Sequence, residues 1–130
     1  ATASKDANTF PLMHASIRRG MFLEFVGGIE ESSEVRDELF ITGAFSMLDR
    51  ITGAPFEQLF ELISLSENVT DAIVRREGPY APYLALIESI ERSDPIGLAK
   101  HLDNLAMPVS NCNEALLKAM QSANTLDADL

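Results

Sequence analysis

The sequence contains a single cysteine, no tryptophan and only two histidines in 130 residues. One cysteine cannot form an internal disulfide, and such sparse use suits a protein of the reducing cytoplasm, which is the location we expect. Cys112 has no histidine or acid arranged around it in the sequence, so we predict a buried or idle thiol rather than a nucleophile.

The scarcity of histidine also limits the chemistry of a site. Neither His14 nor His101 is followed by Asp, and no H-E-x-x-H, E-x-x-H or Cys/His cluster is present. Helical metal-dependent hydrolases need several such ligands around one or two ions. A P-loop and a G-x-S-x-G motif are absent as well. The sequence therefore predicts no metal site, no cofactor and no catalytic residues.

Basic residues are few, because 10 Lys and Arg face 20 Asp and Glu, giving a net charge of −10. This balance argues against binding to nucleic acid or to an anionic membrane surface. Arg18–Arg19 and Arg75–Arg76 are the adjacent basic pairs, and we interpret both as solvated helix faces. No apolar run approaches the roughly 18–20 residues of a membrane-spanning helix.

Alternating strand patterns are missing, whereas helix signals recur along the chain. Residues 1–130 are therefore predicted to form one all-α, bundle-like domain of about seven short helices. The first predicted helix runs from a cap at Asn8 or Thr9 to Gly27–Gly28, the second runs from Ser32 or Ser33 to Thr52, and the third begins at Pro55. The fourth runs from Ser66 to a C-cap at Gly78, and the fifth runs from Pro79 to Ser93. The sixth begins at Pro95 after an Asp94 cap, and the seventh runs from 111 to 123. Residues 124–130 are predicted to be a frayed tail.

Residues 37–53, D-E-L-F-I-T-G-A-F-S-M-L-D-R-I-T-G, have a wide apolar arc typical of a helix surrounded by neighbours. Gly43 costs about 1 kcal/mol relative to alanine inside a helix, and close approach of another helix at Gly43–Ala44 would compensate. Thr42 and Ser46 can bond to carbonyls one turn earlier, so their hydroxyls need no outside partner. We interpret the stretch as core and Asp49 as paired or solvated rather than catalytic.

The segment E-G-P-Y-A-P-Y-L, residues 77–84, holds both tyrosines of the chain, Tyr80 and Tyr83. Their spacing of three would present both phenols on one side of a helix. One interpretation is a rigid connector that packs aromatic rings at a helix junction. The other is a contact with a ligand or partner, because amphipathic aromatics are favoured at interfaces.

Three segments together resemble the HDOD family, and more narrowly the HDOD module that follows an EAL domain in bacterial signalling proteins. They are L-M-x-x-x-I-R-R-G-M-F-L-E (12–24), D-E-L-F-I-T-G-A-F-S-M-L-D-R-I-T-G-A-P-F-E-Q-L (37–59) and L-S-E-N-V-T-D-A-I-V-R-R-E-G-P-Y (65–80). The match covers residues 8–105 and is most specific over 39–59.

The resemblance implies an HD-like helical fold without the metal ligands of HD-type phosphohydrolases. It further implies a non-enzymatic regulatory or output module that acts through protein partners in a cyclic di-GMP context. A full HDOD domain has further helices before this match, so we expect a C-terminal fragment that follows an EAL domain. We also expect self-association, as a dimer through the first two helices, because a shortened domain exposes apolar surface.

Two alternatives to a regulatory module stay open at this point. One is a degenerate HD-type phosphohydrolase or phosphodiesterase that still binds a nucleotide or metal. The other is a small-ligand sensor with Tyr80 and Tyr83 in its site.

Overall fold

The computed structural model describes residues 2–27 and 32–129, with side chains for residues 10–27 and 32–125. Within these ranges the chain is all-helical and forms no strand, which confirms the predicted fold class. The helices are α1 Thr2–Gly27, α2 Ser33–Phe45, α3 Leu48–Thr52, α4 Phe56–Leu62, α5 Glu67–Thr70, α6 Ala81–Glu91, α7 Pro95–Asn104 and α8 Val109–Asp129; a π-helical segment, Asp71–Arg75, continues α5. None of these described helices is both long and apolar enough to cross a membrane.

The first helix is longer than the sequence predicts. It begins at Thr2, so the predicted caps at Asn8 and Thr9 are wrong, and Pro11 lies inside the helix. A proline removes one backbone hydrogen bond, but here the helix continues on both sides of it. The predicted end near Gly27 is confirmed, whereas Gly28 lies outside the described residues.

The single helix predicted from Ser32 or Ser33 to Thr52 is divided at Ser46–Met47 into α2 and α3. Ser32 caps α2 as predicted, since its side chain accepts from the Val35 N–H at 3.2 Å. Gly53 ends α3 in the left-handed conformation, with φ of 74°. Buried side chains continue from α2 through Ser46 and Met47 in the break, but α3 contains no buried residue. Only the first part of the predicted core helix is therefore core.

Helices α1 and α2 cross with their backbones in direct contact. A Cβ added to Gly43 would lie 2.6 Å from the Arg19 carbonyl oxygen, and one added to Gly20 would lie 2.9 Å from the Phe40 carbonyl oxygen. The Ser16 hydroxyl donates to the Ala44 carbonyl at 2.5 Å beside this crossing. The predicted close approach of a helix at Gly43–Ala44 is confirmed.

The core lies between α1, α2, α6 and α8, with further buried side chains from α5, the π-helical segment and α7. Its largest fully buried apolar side chains are Phe22, Leu23, Leu39, Val69, Leu84, Leu86 and Ile87. Cys112 on α8 is buried as predicted, and burial raises the pKa of its thiol. Ser89 is also fully buried, and its hydroxyl has no hydrogen-bond partner among the described residues.

The connections confirm some of the predicted caps and correct one. Ser66 accepts from the Val69 N–H at 3.4 Å, and Asp94 accepts from the Gly97 N–H at 3.0 Å. The predicted C-cap at Gly78 is wrong, because Arg76 takes the left-handed position with φ of 58° after the π-helical segment ends. The final helix, α8, begins at Val109 and is helical to Asp129, into the tail predicted to be frayed.

Candidate functional site

A cleft with a volume of about 710 Å³, the larger cleft, is formed by parts of the chain that are far apart in sequence, and a smaller cleft adjoins it. The end of α1, the first turns of α2 and α6, the α7–α8 connection and the first turns of α8 surround the larger cleft. Its lining residues are Glu24, Phe25, Val26, Gly27, Ser33, Arg36, Asp37, Tyr83, Leu105, Ala106, Met107, Pro108, Asn111, Glu114, Ala115 and Lys118. No single segment of the sequence therefore predicts this cleft.

Charges of both signs line the larger cleft. Lys118 pairs with Glu114 one turn earlier at 3.2 Å, whereas Arg36 has no ion-pair partner within the described ranges. Glu24 and Asp37 add negative charge on the walls formed by α1 and α2. Acids, bases and an aromatic ring are therefore intermixed on its walls.

The structure separates the two predicted site tyrosines. Tyr83 is half-buried and lines the larger cleft, whereas Tyr80 is 5 % exposed and belongs to the core. The Tyr80 hydroxyl donates to the Glu38 carboxylate on α2. Burial, together with this hydrogen bond and the Glu38 charge, raises the pKa of Tyr80 to about 12. Tyr80 thus fastens α6 to α2, and of the two only Tyr83 contacts the cleft.

Arg19 was predicted on a solvated face, and that prediction is wrong because its side chain is 3 % exposed. Its Nε donates to Glu91 Oε2 at 3.0 Å and its Nη2 donates to Glu91 Oε1 at 2.6 Å. Its Nη1 donates to the Ser46 hydroxyl at 2.9 Å and lies 3.9 Å from a Glu88 oxygen. These four residues form the Arg19 cluster, which joins α1, the α2–α3 break and α6.

The other basic pair behaves as predicted. Arg75 and Arg76 are both about half exposed, and they pair with Asp71 and Glu88 respectively. The Arg76–Glu88 pair connects the end of the π-helical segment to the Arg19 cluster. The part-buried carboxylates of α6 therefore hold helices together.

The hydroxyls of the 37–53 stretch are satisfied locally, as predicted. Thr42 donates to the Glu38 carbonyl at 2.8 Å, and Ser46 donates to the Gly43 carbonyl at 2.6 Å. Ser46 nevertheless has an outside partner, Arg19, which the sequence does not reveal. Asp49 accepts from the backbone N–H of Arg50 at 2.9 Å, a local contact at the start of α3.

The two histidines lie on different helices. His14 Nε2 on α1 is 3.3 Å from Oδ1 of Asn124 on α8, and His101 lies in the last turn of α7. In the part of the chain that the structure describes, no three His, Cys, Asp or Glu side chains are grouped so that they could hold a metal ion.

A second, smaller cleft of about 560 Å³ lies along α7 and the α7–α8 connection. It shares Ala106, Met107 and Pro108 with the larger cleft, and its other lining residues are Pro95, Leu98, Ala99, Leu102, Asp103 and Val109. The two clefts therefore adjoin on either side of the α7–α8 connection.

The fold and its clefts define an all-helical domain whose chain is similar to part of a known signalling protein. It is 29 % identical over 110 residues to the protein of Vibrio cholerae named cyclic di-GMP phosphodiesterase CdgJ. The matched region is 85 % of this chain but 26 % of that protein, so the chain spans about a quarter of the relative's length. No family model and no solved structure matches the chain, and the HDOD resemblance stays a prediction.

Proposed function

We propose that this chain is a non-catalytic regulatory module of a bacterial cyclic di-GMP signalling protein. In this proposal it acts by protein–protein contact through the larger cleft, with an EAL domain of its parent protein among its partners. We include the EAL domain because residues 8–105 resemble the HDOD module that follows an EAL domain in bacterial signalling proteins.

The observation that carries the proposal is the extent of the similarity to CdgJ. Most of this chain aligns with one section of a cyclic di-GMP phosphodiesterase that is about four times the length of the aligned region. A region of 110 residues has the length of a single domain. The name phosphodiesterase describes the whole relative. In our proposal, the aligned section regulates the activity of the remaining sections of that protein.

The contacts of the part-buried acidic side chains also support a regulatory role. Glu91 is bound to Arg19, Glu88 pairs with Arg76, and Glu38 accepts from Tyr80. These part-buried carboxylates fix the packing of α6 against α1 and α2. Meanwhile Tyr83 and Arg36 line an open cleft, and these two residue types are enriched where proteins bind one another.

A direct test measures turnover by the chain itself. The purified chain is incubated with cyclic di-GMP and Mg²⁺ or Mn²⁺, with an active cyclic di-GMP phosphodiesterase as positive control. We expect no linear or mononucleotide product from the chain. Metal-dependent hydrolysis would refute the proposal in favour of a degenerate phosphohydrolase.

A second test uses the Vibrio cholerae relative. Replacing its matching segment with this chain should preserve hydrolysis of cyclic di-GMP. The exchange replaces only a regulatory segment and leaves the catalytic groups of the relative in place. Tyr83→Ala or Arg36→Ala in that chimera should change the rate, whereas Arg75→Ala, far more exposed and outside the cleft, should not. Equal rates for all the chimeras would argue against control through the larger cleft.

A further inference from the structure

The smaller cleft differs in chemistry from the larger cleft that it adjoins. Of the nine described residues that line it, eight are apolar and Asp103 is the charged one. The walls of the larger cleft, by contrast, carry several charged side chains of both signs. A partner surface rich in charge that suits the larger cleft would therefore not suit the smaller one, which requires an apolar partner surface.

The floor of the smaller cleft belongs to the core, whereas its rim is open to solvent. Leu102 is 7 % exposed, and Leu98 and Met107 are partly buried against the core. The exposed rim residues are Pro95, Ala99, Asp103, Ala106, Pro108 and Val109. Val109 is 59 % exposed, and Ile96, next to the rim at the start of α7, is 84 % exposed. Apolar side chains that are open to water beside a fixed apolar floor indicate a contact surface.

The turn after α7 fixes the wall that the two clefts share. The Met107 N–H donates to the Leu102 carbonyl at 2.9 Å, and the Ala106 N–H donates to the Asp103 carbonyl at 3.0 Å. These two bonds form a common helix-ending motif, which places Ala106 in the left-handed region with φ of 51°. Glycine adopts this conformation more readily, yet Ala106 adds a methyl group to the wall of both clefts. The wall is therefore preformed, and it is apolar even where the backbone favours glycine.

Asp103 indicates the charge of the partner. Its side chain lies on the exposed rim and has no ion-pair partner among the described residues. Lys100, which precedes it by three residues on α7, is thus not paired with it. An unpaired acid beside an apolar groove is complementary to a basic residue that flanks apolar side chains on the partner.

We infer that the smaller cleft binds an amphipathic helix of a partner protein, and that this helix carries a basic residue beside its apolar face. Helix α7 has 10 residues and is about 15 Å long, so about three turns of a partner helix can lie along it. Apolar side chains at spacings of three and four cover Ala99 and Val109, and the basic residue pairs with Asp103. This contact does not depend on the proposed role of the larger cleft.

Two designed peptides test the charge preference. Both are alanine-based helices of about three turns with leucines on one face, and they differ by a lysine or a glutamate at one position beside the leucines. Fluorescence anisotropy gives the dissociation constant of each labelled peptide for the unaltered chain, Asp103→Lys and Glu57→Lys. Glu57 is the matched control, because it is exposed on α4 and lies outside both clefts, and its substitution changes the net charge equally.

We expect the unaltered chain and Glu57→Lys to bind the lysine peptide about threefold more tightly than the glutamate peptide, and Asp103→Lys to reverse the preference. A preference that persists in Asp103→Lys, or that reverses equally in Glu57→Lys, would overturn the inference.

Two exposed side chains of α8 test the apolar contact. Val109→Ser should weaken binding of the lysine peptide about fivefold, because it removes apolar surface from the rim. Leu117→Ser should leave it unchanged, since Leu117 is 58 % exposed but lies outside both clefts. Equal effects of the two substitutions, or no saturable binding of either peptide up to about 1 mM, would refute the inference.

Sedimentation equilibrium of the chain without peptide tests the other occupant of the smaller cleft. We expect Val109→Ser to leave the state of association unchanged. A dimer of the unaltered chain that Val109→Ser dissociates, while Leu117→Ser does not, would make a second copy the occupant and overturn the inference.

Discussion

Arg19 and Glu91 are separated by 72 residues in sequence, yet a two-pronged hydrogen bond joins α1 to the last turn of α6. The guanidinium is almost completely buried, whereas the Glu91 side chain retains 26 % of its exposure. Removing the arginine would leave the Glu91 carboxylate and the Ser46 hydroxyl without the donor that they share.

Arg19→Ala should lower the free energy of unfolding by about 3 kcal/mol, since loss of one member of a buried pair costs that much or more. Arg75→Ala is the matched control, because Arg75 is 58 % exposed and its pair should contribute no more than about 0.5 kcal/mol. Urea denaturation followed by circular dichroism measures both. Equal losses for the two variants would show that the Arg19 cluster does not stabilise the fold.

Gly43→Ala should destabilise the chain by about 1–3 kcal/mol, although alanine is the better helix former by about 1 kcal/mol. The new methyl group would lie 2.6 Å from the Arg19 carbonyl oxygen, and backbone atoms cannot rotate away. Thermal unfolding of Gly43→Ala and of the unaltered chain gives the comparison; Gly53→Ala is not a neutral control, because Gly53 holds a left-handed φ of 74° that strains any side chain. A Gly43→Ala variant as stable as the unaltered chain would mean that α1 and α2 separate without cost.

Ser89→Ala should leave stability unchanged or raise it by up to about 1 kcal/mol. The Ser89 hydroxyl is buried and finds no hydrogen-bond partner in the part of the chain that the structure describes, so its removal relieves a desolvation cost. Ser46→Ala removes a hydroxyl that both donates and accepts, and it should cost about 1–2 kcal/mol. Equilibrium unfolding in urea distinguishes the two serines, and a marked loss at Ser89 would reveal a partner for its hydroxyl.

Stability should fall as pH rises from about 10 to about 12 because of Tyr80. Its folded-state pKa of about 12 exceeds the ordinary value of 10, so the unfolded chain loses the proton first. The contribution is complete below pH 10, and on the order of 2 kcal/mol is lost by pH 12.

The absorbance of tyrosinate can resolve this titration, since the chain has two tyrosines and no tryptophan. Tyr83→Phe leaves Tyr80 as the titrating ring. Its phenol should lose the proton near pH 12 rather than near the ordinary value of 10. Titration of this variant at the ordinary value would contradict the buried Tyr80–Glu38 contact.

Local signals predicted much of the fold. Ser32, Ser66 and Asp94 cap helices because their side chains reach an N–H three residues on, and this geometry is visible in the sequence. Gly43 was informative for a different reason. A glycine inside an otherwise strong helix indicates that something outside the helix requires it, and here that is the backbone of α1.

The errors arose where distant residues decide the outcome. Arg18 and Arg19 are identical neighbours, and only the position of α6 makes one of them buried. The 33–52 helix divides at Ser46, whose hydroxyl accepts a hydrogen bond from the same guanidinium, and the sequence reveals neither the break nor this contact. The larger cleft is built from several separate elements, so of its lining residues only Tyr83 could be proposed beforehand.

The contact of Gly20 and Gly43 with facing main-chain atoms restricts how this protein can change over evolutionary time. Enlarging either residue pushes one helix away from the other, and a compensating substitution cannot shrink a carbonyl group. We therefore expect homologues that share the crossing to keep very small residues at both positions, even where the surrounding apolar side chains have drifted. That spaced pair would be a better marker of descent than any charged residue on the surface.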